Sequence, residues 1–155
     1  MFTLFSESIA KTLDMGEALG RTLKGGEMLA LNGELGVGKT VLVKGVARGL
    51  EITDVVTSPS FVLVKSYRGR ILLHHVDFYR LQAPEELETI GFNDFLNDQD
   101  VLAIEWADKF PHVLPLPFLH ITISYRDENQ RLLKFEWRGD VEWEKQLDQA
   151  LGAFS

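Results

Sequence analysis

The sequence predicts an α/β fold: a mainly parallel central sheet with antiparallel hairpins added. Three observations predict it. Apolar runs of strand length alternate with amphipathic segments of helix length along the 155 residues. A glycine-rich segment, Gly33 to Thr40, joins one such run to one such segment. Two further runs, Ile71 to Asp77 and Val101 to Glu105, each end in a carboxylate, and open α/β sheets bind their ligands outside the carboxyl ends of the strands.

The elements follow in chain order. Ser6 to Lys24 reads as an amphipathic helix: Ile9, Leu13, Leu19 and Leu23 fall near one face, a serine opens it and Gly25-Gly26 closes it. Met28 to Leu31 is a short apolar run flanked by glycines, the pattern of a buried strand. Thr40 to Leu50 reads as a helix with Val41, Leu42, Val46 and Leu50 apolar. Phe61 to Tyr67 and Ile71 to Phe78 flank Arg68-Gly69-Arg70 and predict a hairpin. Pro84 opens a helix to Ile90, with Glu85, Glu86 and Glu88 at the positive end of its dipole. Val101 to Glu105 is a second buried strand. His120 to Tyr125 and Leu132 to Trp137 form another hairpin around Asp127-Glu128-Asn129-Gln130, and Val141 to Leu151 reads as a final helix.

The length suits one domain over residues 1–155. The chain has no cysteine, which excludes a disulfide framework, a Cys-based zinc site and a thiol nucleophile. The longest near-continuous apolar run, Val113 to Ile123, is broken by Pro115, Pro117 and His120, far short of the roughly 20 residues of a membrane span. Ser6, Glu7 and Ser8 interrupt the start where a secretory signal would have its apolar stretch. A cytoplasmic protein is expected. The formal net charge is −7. Between Asp77 and Asp108, nine acids face a single base, Arg80, so the remainder is close to neutral. Strong direct nucleic-acid binding is not expected of such a chain, because phosphate neutralisation needs many Lys and Arg. The acids at 85, 86 and 88 read either as a solvated surface or as a docking face for a basic partner.

The strongest chemical signal is Gly33-Glu34-Leu35-Gly36-Val37-Gly38-Lys39-Thr40, which fits the phosphate-loop pattern G-x-x-x-x-G-K-S/T with a strand before and a helix after. Its glycines let successive backbone N–H groups curl towards phosphate oxygens, and the helix N-terminus adds positive potential. Lys39 would reach the β- and γ-phosphates and the Thr40 hydroxyl would ligate Mg²⁺. Such a loop needs an acid from a neighbouring strand to hold the metal and order water, and Asp77 and Glu105 both qualify. His75 lies two residues before Asp77, hence on the same strand face, although no third His or Cys completes a transition-metal site. Arg80 is placed either to supply charge near the phosphates or to form a structural salt bridge. Thr57-Ser58-Pro59-Ser60-Phe61 offers three hydroxyls ahead of a strand, a candidate nucleotide-sensing loop.

Taken together, the segments resemble the TsaE family (earlier YjeE), the small ATPases of bacterial tRNA threonylcarbamoyladenosine synthesis. The resemblance rests on Gly33 to Thr40, Ser58-Pro59-Ser60-Phe61, His75-Val76-Asp77-Phe78-Tyr79-Arg80 and Ile104-Glu105-Trp106, in that order, with Leu13 to Glu17 fitting the family's first helix. Ser60 stands where the family commonly has Thr, and keeps the hydroxyl. The resemblance implies a three-layer P-loop NTPase-like fold that binds ATP or ADP with Mg²⁺. It implies work beside TsaD and TsaB, which transfer threonylcarbamoyl to the adenosine next to the anticodon. It also implies that Lys39 binds phosphate, Thr40 and Glu105 hold Mg²⁺, Asp77 supports hydrolysis, and Trp106 reports or shapes the site.

Two other classes fit the residues less well. A small-molecule phosphotransferase would close a lid of arginines, and beyond Glu105 only Arg126, Arg131 and Arg138 are on offer, scattered about a hairpin. A guanine-dependent switch would carry Asn-Lys-x-Asp after a strand; Asn97-Asp98-Gln99-Asp100 lacks the lysine and precedes its strand.

Overall fold

The structure, a computed structural model, describes residues 1–139 and 143–155. Seven strands form one sheet in the order β1-β7-β6-β2-β5-β4-β3. They are β1 (Phe2–Ser6), β2 (Met28–Asn32), β3 (Val64–Arg68), β4 (Leu72–Asp77), β5 (Val101–Glu105), β6 (Phe118–Tyr125) and β7 (Arg131–Arg138). The central four, β6, β2, β5 and β4, run parallel, while β7 and β3 join them antiparallel through the two expected hairpins. Every residue of β2 and β5 is buried, as strands with helical or looped layers on both faces must be.

The helices are α1 (Ile9–Thr22), α2 (Lys39–Gly49), the single turn α3 (Glu86–Thr89) and α4 (Glu144–Leu151). One sheet face carries Leu29, Leu31, Ala103 and Ile121 into a core with α1, α2 and α4; the other carries Met28, Ala30, Leu102 and Ile104 against Phe78, Phe92 and Phe110. The alternation along β2 therefore feeds two cores and makes three layers. No helix among the described residues is long and apolar enough to cross a membrane.

Several boundaries differ from the sequence reading. Ser6 ends a strand instead of opening a helix: β1 pairs with β7, and the true cap is Ser8, whose Oγ accepts from the Lys11 N–H at 3.0 Å. The helix accordingly buries Thr12, Met15, Gly16, Leu19 and Gly20 and leaves Ile9 exposed. Phe61 to Leu63 belong to a turn ahead of β3, because the Val62 and Leu63 N–H groups both close onto the Pro59 carbonyl. The helix expected from Pro84 to Ile90 shrinks to α3, and Glu86 Oε2 accepts from the Gln82 and Ala83 N–H groups just before it. Of the expected Val141–Leu151 helix, Val141 and Glu142 lie outside the described residues; α4 covers the rest from Glu144.

Two devices set α1 and α2 firmly. Gly16 and Gly20 of α1 meet Gly45 and Gly49 of α2 backbone to backbone. A Cβ on Gly45 would lie 2.3 Å from the Leu13 carbonyl oxygen, and one on Gly16 would lie 2.4 Å from that of Leu42. Behind them, Arg70 donates from Nη1 to the Leu23 carbonyl and from Nη2 to the Gly20 carbonyl, both at 2.7 Å. A cation there bonds carbonyls at the negative end of α1, adding to the Leu23 N–H that already reaches Gly20. At the outer edge of the sheet, Ser66 Oγ lies 2.7 Å from His74 Nδ1, and His74 Nε2 lies 2.8 Å from Asp100 Oδ2, which ties β3 and β4 to the turn before β5.

Candidate functional site

The glycine-rich loop leaves β2 at Gly33 and enters α2 at Lys39. A side chain on Gly33 would strike the Ile123 carbonyl oxygen at 2.4 Å, so only glycine lets the loop turn so close to β6. Gly38, at φ 122°, caps α2 in a conformation that L side chains rarely adopt. Inside the loop Lys39 is 4% exposed, and its Nζ donates to the carbonyls of Gly33 at 2.5 Å and Glu34 at 2.8 Å. Burial pushes its pKa below the usual lysine value, against the pull of Glu105 and Asp77.

Both strand-end carboxylates come to this point. Asp77 and Glu105 are direct partners in the parallel β4–β5 ladder, and Glu105 also pairs with Leu31 of β2. Their placement follows from strand lengths that end level with one another at the loop. Asp77 Oδ1 accepts from the Tyr79 N–H at 2.8 Å and Oδ2 from the Ser60 hydroxyl at 3.0 Å. Burial raises the Asp77 pKa above the usual aspartate value; the Tyr79 N–H opposes this, the Glu105 charge adds to it, and Ser60 and His75 oppose it. Glu105 Oε2 accepts from the Thr40 hydroxyl at 2.8 Å and lies 2.6 Å from His75 Nε2.

Lys39, Thr40, Ser60, Asp77 and Glu105, with Ser58 and Trp106, line a cleft of about 280 Å³ at the carboxyl ends of the parallel strands. A larger cavity, about 760 Å³, opens where those strands begin, between Lys24–Glu27 and Leu96–Asp98. The smaller cleft is the better candidate, because a lysine, a hydroxyl and two carboxylates converge on it. Beyond the loop, a third cavity of about 380 Å³ lies between Ser8 and Thr12 of the α1 entry, Val37 and Asn129. Arg131 of β7 closes that side, donating from Nε to the Val37 carbonyl at 3.0 Å.

Other expected residues are placed as follows. Trp106 takes a left-handed backbone (φ 59°), which turns its ring beneath Lys39 Nζ at 4.2 Å and beside the Tyr79 ring at 4.9 Å. Arg80 forms no salt bridge among the described residues: its guanidinium lies 4.2 Å over the ring of Phe61, itself 84% exposed. Arg126 and Arg131 are held over Phe5 and Tyr125, at 4.2 and 4.3 Å, and not on a lid. His75 faces Glu105, and no cluster of three or more metal-ligating side chains exists among the described residues. The sequence reading missed the Arg131–Val37 contact and the His75–Glu105 contact; only the two-residue spacing from His75 to Asp77 hinted at the second.

Thr40, Glu105 and Asp77 offer oxygen donors alone, which suits a hard cation such as Mg²⁺, a metal that keeps most of its waters and takes few protein ligands. The residues present fit that ion.

A strand, glycine-rich turn and helix set on a mainly parallel sheet, with strand-end carboxylates beside them, define a P-loop fold. The chain superposes on the crystal structure of Bacillus subtilis YdiB with a TM-score of 0.80 at 26% identity, covering 99% of this chain and 96% of that one. The family model described as "Threonylcarbamoyl adenosine biosynthesis protein TsaE" matches residues 6–133. Among proteins named tRNA threonylcarbamoyladenosine biosynthesis protein TsaE, that of Nostoc sp. is 37% identical over 84% of this chain and 83% of its own length. That of Treponema pallidum is 40% identical over 78% and 88%. The chain belongs to the TsaE family, and so to tRNA threonylcarbamoyladenosine biosynthesis.

Proposed function

We propose that the chain binds and hydrolyses ATP with Mg²⁺, in the cytoplasm, in support of threonylcarbamoyl transfer to the tRNA adenosine beside the anticodon by TsaD and TsaB. The observation that carries this reading is the buried ammonium of Lys39, held by two carbonyls of its own loop and facing two carboxylates. A charge so enclosed is matched by an anion entering the loop.

On ATP binding, Lys39 exchanges the Gly33 and Glu34 carbonyls for β- and γ-phosphate oxygens, and the loop N–H groups from Gly33 to Thr40 enclose the phosphates. The base takes the cavity between Ser8, Thr12 and Asn129. Thr40 and Glu105 would hold Mg²⁺, which when bound neutralises charge on the phosphate oxygens. Asp77 is fixed by Ser60 and Tyr79 and orients the attacking water in line with the γ-phosphate. Its raised pKa suits it to accept a proton as the water attacks. Trp106 and Tyr79 shield the lysine side of the cleft. The site acids lie inside the acidic stretch, so Mg²⁺ would offset part of that charge when bound, and on this reading the RNA is held by the partners.

A phosphate-release assay with and without TsaD and TsaB tests the reading. Wild type is expected to hydrolyse ATP slowly alone and faster with both partners, while Lys39→Ala folds and loses turnover by at least about a hundredfold, the scale of losing one preorganised donor. Unchanged turnover in Lys39→Ala would reject the site; turnover indifferent to the partners would reject only the partnership.

A further inference from the structure

His75 has no part in the function proposed above, yet it is fully buried at 0% exposure and aimed at Glu105. The β4–β5 register sets it opposite Ala103, whose methyl leaves the imidazole room to lean along the ladder to Glu105, one step further on the same face. Its Nε2 lies 2.6 Å from Glu105 Oε2, while its Nδ1 has no hydrogen-bond partner. A contact of that length to a carboxylate is a hydrogen bond when Nε2 carries the proton. The oxygen that receives it, Glu105 Oε2, also receives the Thr40 hydroxyl at 2.8 Å.

We propose that His75 is a positioning residue: its Nε2–H fixes the Glu105 carboxylate so that one oxygen holds the Thr40 hydroxyl hydrogen and leaves the Thr40 lone pairs free for the cation. The inference rests on the Mg²⁺–nucleotide reading of this cleft. A buried carboxylate with one side-chain donor can rotate about its terminal torsion; with donors from two elements, β4 and α2, it cannot do so without breaking a bond. His75 thereby sets how strongly the cation couples to the nucleotide, without touching either.

The test is calorimetric titration of ADP into wild type, His75→Gln and His75→Leu, each with excess Mg²⁺ and with EDTA, alongside thermal melts. Wild type is expected to bind ADP more tightly with Mg²⁺ than with EDTA. His75→Leu is expected to keep the EDTA affinity and lose about tenfold or more of the Mg²⁺-dependent gain, the scale on which lost outer-shell partners weaken metal sites. His75→Gln, whose amide N–H can replace Nε2–H, is expected to recover most of that gain. If His75→Leu fails to fold, His75→Asn replaces it as a polar side chain too short to reach Glu105. A folded His75→Leu with the wild-type gain, or equal losses in the Gln and Leu (or Asn) variants, overturns the positioning role while the Mg²⁺–nucleotide reading stands. A wild type that gains nothing from Mg²⁺ overturns both.

Discussion

The two ends of helix α2 solve opposite problems. Towards its C-terminus, Gly45 and Gly49 meet Gly16 and Gly20 with no side chain between the backbones, so van der Waals contact is dense. At its N-terminus, Lys39 and Thr40 enter a cleft lined by a buried lysine and two buried carboxylates, with a buried histidine behind Glu105. One end is packed for stability and the other holds desolvated charge that opposes it, a division expected where binding groups are assembled in advance of their ligand. The comparison teaches that the glycine seam fixes α2 rigidly enough for its first turn to carry that strain.

The largest break in this contrast comes from filling the seam. Gly45→Val is expected to destabilise the chain by about 3 kcal/mol, since the obstructing atom is the Leu13 carbonyl and not a movable side-chain end. A melt should fall by roughly 6–12 °C, and one within about 2 °C of wild type would show that the helices part easily. The opposite sign is expected at the other end. Asp77 has a raised pKa in the folded chain, chiefly from burial, so its contribution to stability is fully present below its unfolded value and is lost as pH rises through the folded value. Asp77→Asn should therefore melt above wild type at neutral pH, with the gap closing in acid, while hydrolysis is lost. A gap constant with pH would deny that the charge is what opposes folding there. The smallest effect on the fold is expected on the acidic surface. Glu86 is engaged by the Gln82 and Ala83 N–H groups, which leaves Glu85 and Glu88 as the free test. Glu85→Lys with Glu88→Lys should shift stability by no more than about 0.5 kcal/mol yet weaken stimulation by TsaD and TsaB. Full stimulation would return those acids to plain surface.

The cleft end of α2 was far more legible in the sequence than the features that support it. The phosphate-loop spacing, the strand before it and the strand-ending carboxylates are local patterns, and Asp77 and Glu105 do pair. Strand β1 was not legible, because Phe2–Ser6 gains its partner β7 only from the other end of the chain. The true start of α1 was hidden by two candidate caps, Ser6 and Ser8, and pairing with β7 decided between them. Phe61 to Leu63 carry strand-forming side chains, but the closure of two N–H groups onto Pro59 overrides that preference and brings Ser60 to Asp77. The left-handed turn at Trp106 and the bond from His75 to Glu105 depend on which strands become neighbours, and no spacing within one segment encodes that.

The contact from Arg131 to the Val37 carbonyl bears on synthesis of the chain from its N-terminus. The motif, both carboxylates and Trp106 have all left the ribosome before β6 and β7, yet Ile123 of β6 forms the floor under Gly33 and Arg131 of β7 the tether on Val37. A nascent chain halted before that hairpin holds the glycine-rich loop, both carboxylates and Trp106 without the scaffold that shapes the loop. The loop's final shape thus depends on residues made after the motif, and the closing hairpin completes its scaffold only once the rest of the cleft has been synthesised.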